Sequence, residues 1–132
     1  GKVIMSPTFN YHGWYQARLS VLFAQLAPTG QPFVELAVLT DAGLFEVDVA
    51  WTHEFRKVRE QRYASPPPEI CVEVESESNT PQEFNRKRDA LFLAGCSEVW
   101  IVRKDGQIEF HAQGGPVNQS PLLPLFPTNI AD

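Results

Sequence analysis

Two segments of the chain alternate apolar and acidic residues with a period of two, and this alternation predicts β-strands whose acids lie beside a core. The first segment contains Glu46 and Asp48, and the second contains Glu73 and Glu75. Successive side chains of a strand point to opposite faces, so each pair of acids should share a face while the intervening valines enter the core. An acid is costly to bury unless a neighbouring group neutralises it, and a divalent cation is a common solution.

The remaining patterns predict helices on both sides of a mixed sheet, which is an α/β architecture. Tyr11, Tyr15, Leu19, Leu22 and Leu26 recur with helical spacing. The predicted elements are a strand at 2–5, a long helix at 10–26, a hairpin of strands at 33–40 and 44–51, a short helix at 53–62, a central strand at 70–76, a helix from the capping box at Thr80 to Gly95, and a second hairpin at 98–103 and 107–111 around Asp105-Gly106.

Composition favours one globular domain over residues 1–132, because 43% of the residues are hydrophobic and the length is sufficient to bury a core. No apolar run approaches the length of a membrane span, and no signal peptide is apparent, so we expect a cytoplasmic protein. Cys71 and Cys96 are expected to be reduced and buried. The net charge of −5 argues against avid, nonspecific binding of nucleic acid.

Several motifs, in order along the chain, carry a resemblance to a known family. They are Ser6-Pro7 followed by His12, Val47-Asp48-Val49, the segment from Pro67-Pro68-Glu69 through Glu73 to Ser76, Lys87, and Ala94-Gly95-Cys96-Ser97-Glu98-Val99-Trp100. Together they resemble the PD-(D/E)xK nuclease superfamily and, within it, the small Uma-type restriction-endonuclease family. The resemblance covers most of the chain and implies a restriction-endonuclease-like fold. It also implies that a short further segment precedes Gly1.

Two positions depart from the family pattern. Val47 replaces the proline that usually precedes the aspartate, which should be harmless because proline is no metal ligand. Glu75 stands where the family commonly has an apolar residue and the wider superfamily has its lysine. Glu75 could add a ligand, pair with Lys87 or lie at an exposed strand end, and the sequence leaves these alternatives open.

The resemblance implies a role for each candidate residue. Asp48 and Glu73 would bind Mg²⁺, for which Mn²⁺ can substitute, because hard cations take carboxylate oxygens. Lys87, on the inward stripe of its helix, would orient the attacking water or stabilise charge on the phosphate. His12 would lie near the site, and Glu75 is a further catalytic candidate. Without the resemblance, Asp48 and Glu73 could equally face solvent on a one-sided sheet, and Lys87 could extend to solvent.

These expectations lead to a Mg²⁺-dependent endonuclease that hydrolyses DNA. The alternative is a catalytically inactive nuclease-fold module for nucleic-acid binding or oligomeric interaction, because a fold does not fix a function. A homodimer is expected, since cutting two strands requires two active sites. Trp14 and the apolar tail at 122–126 are candidates for the dimer contact, although the tail could equally pack within its own chain.

Overall fold

A computed structural model describes residues 9–132, with a six-stranded sheet at its centre. Its elements are α1 (Asn10–Leu26), β1 (Gln31–Thr40), β2 (Gly43–Thr52), α2 (Phe55–Arg59), β3 (Ile70–Val74), α3 (Pro81–Ala94), β4 (Glu98–Val102), β5 (Ile108–Ala112) and β6 (Gly115–Val117). The strand predicted at residues 2–5 lies outside the described residues. The predicted order of the other elements is confirmed, and β6 is an additional strand that the sequence analysis missed.

The strands lie in the sheet in the same order as in the chain. Neighbouring strands are antiparallel except for β3 and β4, which are parallel and are connected by α3. A parallel connection needs such a crossover, whereas the antiparallel pairs need only short turns. The result is the mixed sheet flanked by helices that the sequence predicted. Within the described part of the chain, no helix is both long and apolar enough to cross a membrane.

Both faces of the sheet are covered, so the core has two parts. The α1 cluster contains Tyr15, Leu19 and Phe23 of α1 against one face of the sheet. The α3 cluster contains Leu91 of α3, with Phe84 packed beside it, against the other face. The possibility of a one-sided sheet with solvent over the strand acids is therefore wrong.

The buried stripe of α1 differs from the prediction at its end. Tyr15, Leu19 and Phe23 are buried at a spacing of four residues, whereas Leu26 is exposed. Helical spacing places Leu26 on the same side of α1 as Tyr15 and Leu19, but Leu26 is the last residue of the helix. Tyr11 and Leu22 are partly buried against the α1 cluster, as predicted.

The ends of α3 follow the sequence signals closely. The Thr80 hydroxyl accepts a hydrogen bond of 3.1 Å from the Glu83 N–H, which satisfies one of the free donors at the helix start. Gly95 ends the helix with a φ of 113°, a left-handed conformation that suits glycine. These caps fix the position of the lysine that α3 presents to the sheet.

The C-terminal tail packs within its own chain. Phe126 and Ile130 are buried in the α1 cluster, whereas Leu125 is exposed. The buried Glu98 carboxylate anchors the start of this tail by accepting hydrogen bonds from Trp100 Nε1 (2.9 Å), Ser120 Oγ (2.7 Å) and Leu122 N (2.8 Å). Both cysteines, Cys71 and Cys96, are free and buried, as expected.

Candidate active site

The sheet opens at Asp48 of β2. The register between β1 and β2 is the same on both sides of Glu35, which lies opposite Asp48 without pairing with it. Glu35 has a φ of 54°, an uncommon conformation for a residue other than glycine. On the other side, the pairing of β2 with β3 ends at Val49 and Val72. Asp48 therefore lies where β2 leaves the regular ladder on both sides.

The strand also changes face at this point. Val49 packs in the α1 cluster, whereas Val47, two residues earlier, packs in the α3 cluster. Strict alternation would place both valines on one face. The period-two prediction therefore holds for β3, where Val72 and Val74 share the α1 cluster, but is wrong for β2. A local twist, and not strand parity alone, determines where Asp48 lies.

The two candidate ligand residues replace the missing ladder bonds. The Asp48 N–H donates to Glu73 Oε2 at 3.0 Å, and the Val74 N–H donates to Asp48 Oδ2 at 2.7 Å. Each acid therefore accepts a backbone hydrogen bond from the strand of the other. Buried N–H groups must be paired, so these bonds allow the strands to separate without leaving donors unsatisfied. The separation brings both carboxylates into one gap of the sheet.

Lys87 reaches the same gap from α3. Its ammonium donates to Glu73 Oε1 and to the Glu46 carbonyl oxygen. Phe84 and Leu91, one turn to either side, face the α3 cluster, so the inward position predicted for Lys87 is confirmed. The lysine side chain is 18% exposed, which does not match a lysine extended into solvent.

Helix α1 contributes two side chains from the opposite side. His12 Nε2 lies 3.4 Å from Asp48 Oδ2, so the predicted proximity of His12 to the site is present in the structure. Gln16, one turn further along α1, donates from Nε2 to the Asp48 carbonyl oxygen at 3.3 Å. Gln16 was not among the residues predicted from the sequence, although its four-residue spacing from His12 on the same helix face could have indicated it.

Burial governs the electrostatics of this site. Desolvation, and secondly the nearby Asp48 carboxylate, raise the pKa of Glu73 to about 7, while Lys87 opposes the shift. The Asp48 and Glu73 side chains are only 20% and 15% exposed, so water screens their repulsion weakly. One lysine therefore compensates the pair incompletely, and an additional cation would be favoured here.

The other acids considered in the sequence have different partners. Glu75 pairs with Arg103 Nη1 at 3.0 Å and accepts from the Lys104 N–H at 3.1 Å. The proposed pairing of Glu75 with Lys87 is not what the structure has, and Arg103 was missed. The Glu46 side chain is exposed, and only its backbone carbonyl contacts the site.

The gap suits a Mg²⁺ ion, which binds oxygen ligands and takes few of them from the protein. Asp48 and Glu73 offer two close carboxylates, and burial, followed by the Asp48 charge, raises the pKa of Glu73. Across residues 9–132, no group of three or more His, Cys, Asp or Glu side chains is arranged to hold a metal. A divalent cation would therefore depend on water or a bound phosphate for most of its ligands.

The mixed sheet, covered by helices on both faces, is an α/β fold of the restriction-endonuclease-like class. A solved structure supports this fold, namely the crystal structure of a putative nuclease belonging to DUF820 from Anabaena variabilis. The two structures are similar with a TM-score of 0.69 and a sequence identity of 14%, and the match covers 86% of this chain and 69% of that chain. The family model Uma2, described as "Putative restriction endonuclease", matches residues 1–128. The chain therefore belongs to the Uma2 family. No curated protein matches it in sequence.

Proposed function

We propose that this protein is a Mg²⁺-dependent endonuclease that hydrolyses phosphodiester bonds of DNA. The observation that supports the proposal best is the convergence of Asp48, Glu73 and Lys87 from β2, β3 and α3 on one gap of the sheet. Membership of a family described as "Putative restriction endonuclease", and likeness to a protein described as a "putative nuclease", support the same reaction class.

Asp48 and Glu73 would hold the cation through their carboxylates. When bound, Mg²⁺ supplies positive charge that polarises the phosphate and lowers the pKa of a nucleophilic water. The Lys87 ammonium now pairs with Glu73. The same ammonium would stabilise the negative charge that develops on the phosphate oxygens. Lys87 would thus act on the substrate and not on the metal.

His12 and Gln16 act on Asp48 from α1 and hold it in position. Gln16 fixes the backbone carbonyl, and His12 lies against the carboxylate oxygen that accepts the Val74 N–H. Together they keep Asp48 oriented in a strand that has lost its ladder partners at this residue. We therefore assign them as positioning residues. Glu75, paired with Arg103, would not act as a ligand.

The proposal is tested by incubating supercoiled plasmid DNA with the purified chain in Mg²⁺, in Mn²⁺ and in EDTA. Wild type should cleave with either cation and not in EDTA. Lys87→Met should lower the cleavage rate about 100-fold or more, the size expected for losing a group that stabilises the transition state. By calorimetry, Lys87→Met should still bind Mg²⁺, whereas Glu73→Gln should not.

Lys57→Met is the matched control, because Lys57 is an exposed lysine of α2. This variant should cleave at the wild-type rate. Absence of cleavage by wild type in both cations, or full activity of Lys87→Met, would contradict the proposal. Either result would favour the alternative of an inactive nuclease-fold module.

We also propose that two copies act together on the two strands of a duplex. Trp14 and Leu122 are 49% and 44% exposed, and Leu125 is 85% exposed, so these apolar side chains are available for a contact. The other half of the tail packs internally through Leu123 and Phe126. Light scattering at high micromolar concentration should give the mass of a dimer, and a monomer would refute this part of the proposal.

A further inference from the structure

A cavity of about 440 Å³ lies beside the candidate site, between α3 and the sheet. Glu73 and Lys87 border it, so the cavity reaches the candidate site on the side of the Glu73–Lys87 ion pair. Its volume is within the usual range of pockets that bind a small molecule or one unit of a polymer. The proposed chemistry uses only the border with Glu73 and Lys87, which leaves most of the cavity without a function.

The remaining walls are suited to an aromatic ring. Phe45, Phe84 and Ile101 supply apolar surface. The Phe84 ring has a centroid 5.7 Å from that of His111, and the Arg88 guanidinium lies 5.9 Å from the Phe84 ring. Flat groups of this kind stack on nucleobases regardless of base identity.

One wall carries an unsatisfied polar atom. His111 is 9% exposed, and its Nε2 is buried without a hydrogen-bond partner among the described residues. Such atoms are rare in folded proteins, because an unpaired buried polar group costs about 1–3 kcal/mol. Burial, and secondly the charge of Arg88, lower the pKa of His111, so the ring remains neutral. A neutral imidazole can pair with the polar edge of a base.

The charges around the cavity are nearly balanced. Arg103 forms ion pairs with both Glu75 and Glu109, and all three residues border the cavity. Arg86 and Arg88 flank Lys87 on α3 and could contact phosphates next to the site. Long tracks of phosphate contacts need many cations, whereas this chain has a net charge of −5. Binding energy from a base in the cavity would compensate for the weak electrostatic attraction between the protein and the phosphates of the nucleic acid.

From this cavity and the unpartnered His111 within its wall, we propose that the protein takes one unpaired nucleotide into the cavity, next to the phosphate at Lys87. This inference rests on the proposed nuclease function. A base stacked and paired in a duplex cannot enter a cavity for a single nucleotide, so it must first leave the helix. The opening of a pair costs energy, and an already unpaired base avoids that cost. The preferred substrate is therefore DNA with an unpaired nucleotide, and not a perfect duplex.

The test measures binding by fluorescence anisotropy in EDTA, where cleavage does not occur. Three labelled probes are compared: a perfect duplex, the same duplex with one extra unpaired nucleotide, and the single strand. We expect the Kd of wild type to be about tenfold lower for the two probes with unpaired bases, a ratio typical of one stacked base. Phe84→Leu and His111→Gln should each remove most of this preference.

Two matched variants serve as controls. Phe92→Leu is the control for Phe84→Leu, because it changes a phenylalanine of the same helix. His53→Gln is the control for His111→Gln, because it changes an exposed histidine. Neither position borders the cavity. Both should keep the wild-type preference. Circular dichroism establishes that each variant is folded, and if Phe84→Leu does not fold, His111→Gln alone decides the question.

Equal or tighter binding of the perfect duplex would overturn the proposal, and so would an unchanged preference in His111→Gln. The outcome is separable from that of the proposed nuclease function. A preference for unpaired bases without any cleavage supports the cavity and contradicts only the catalytic proposal. Cleavage without a preference contradicts only the cavity.

Discussion

Replacing Glu73 by glutamine in metal-free buffer should change how the stability of the fold depends on pH. Burial and the Asp48 carboxylate raise the pKa of Glu73 from 4.5 to about 7. Between these values the folded state binds more protons than the unfolded state, so the free energy of unfolding of wild type falls as pH rises through this window. Each pKa unit corresponds to about 1.4 kcal/mol, which gives a loss of about 3 kcal/mol by pH 8.

Glutamine cannot ionise, so the variant should not show this loss. Its amide oxygen can still accept the hydrogen bond from the Asp48 N–H, which preserves the opened strand. Its amide NH₂ faces the Lys87 ammonium without an ion pair, and because the amide cannot ionise, this contact adds no pH dependence to the stability of the variant. The pH-dependent part of the difference therefore isolates the ionisation of Glu73, whatever the absolute stability of the variant.

Urea unfolding in EDTA at about pH 4, 6 and 8 measures this difference. Relative to wild type, Glu73→Gln should gain about 3 kcal/mol between the lowest and the highest pH. Glu46→Gln changes an exposed acid of the neighbouring strand β2 and should follow wild type throughout. Parallel curves for wild type and Glu73→Gln would refute the reasoning, since they would mean that Glu73 is not titrating in a desolvated site.

Three further predictions concern stability. Glu98→Ala should lower the free energy of unfolding by about 3 kcal/mol or more in urea, because three donors lose their acceptor, and an effect below about 1 kcal/mol would contradict this role. Gly30→Ala should lower the free energy of unfolding by about 1–3 kcal/mol, since a Cβ there would lie 2.6 Å from the Thr52 carbonyl oxygen and from the Trp51 ring. Gly13→Ala is the control and should be tolerated in the same assay, because a Cβ at Gly13 has nothing within 4 Å. Saturating Mg²⁺ should raise the Tm of wild type but not of Asp48→Asn, and equal shifts would place the cation elsewhere.

Much of the fold could be predicted because the local signals agree with the tertiary structure. The capping box at Thr80, the left-handed Gly95 and the turn at Asp105-Gly106 each fix an end of an element through backbone chemistry that needs no long-range information. The strand β6 was missed because three residues carry too little periodicity to indicate pairing. Its existence depends on the neighbouring edge of β5, which the sequence does not specify locally.

The candidate site divides in the same way. Lys87 was predicted from the helical spacing of Phe84 and Leu91, a local property of α3. The approach of Asp48 to Glu73 was predicted for an incomplete reason, because β2 changes face at Asp48 and strict alternation does not hold there. Long-range contacts such as the pairing of Glu75 with Arg103 have no signature in the sequence, because the two residues meet only through the parallel pairing of β3 and β4.

The opening of the sheet gives Asp48 and Glu73 a structural role that any functional experiment must respect. Each carboxylate accepts a backbone N–H that a regular ladder would have satisfied. Removing either acid entirely would leave a buried donor unpaired, at about 1–3 kcal/mol, and would allow the strands to close or shift. Loss of cleavage in an alanine variant would therefore report a changed scaffold as readily as a lost metal ligand. The amide variants keep one acceptor oxygen for the backbone N–H while they remove the charge, so they test the chemistry of the site with the least change to the geometry that creates it.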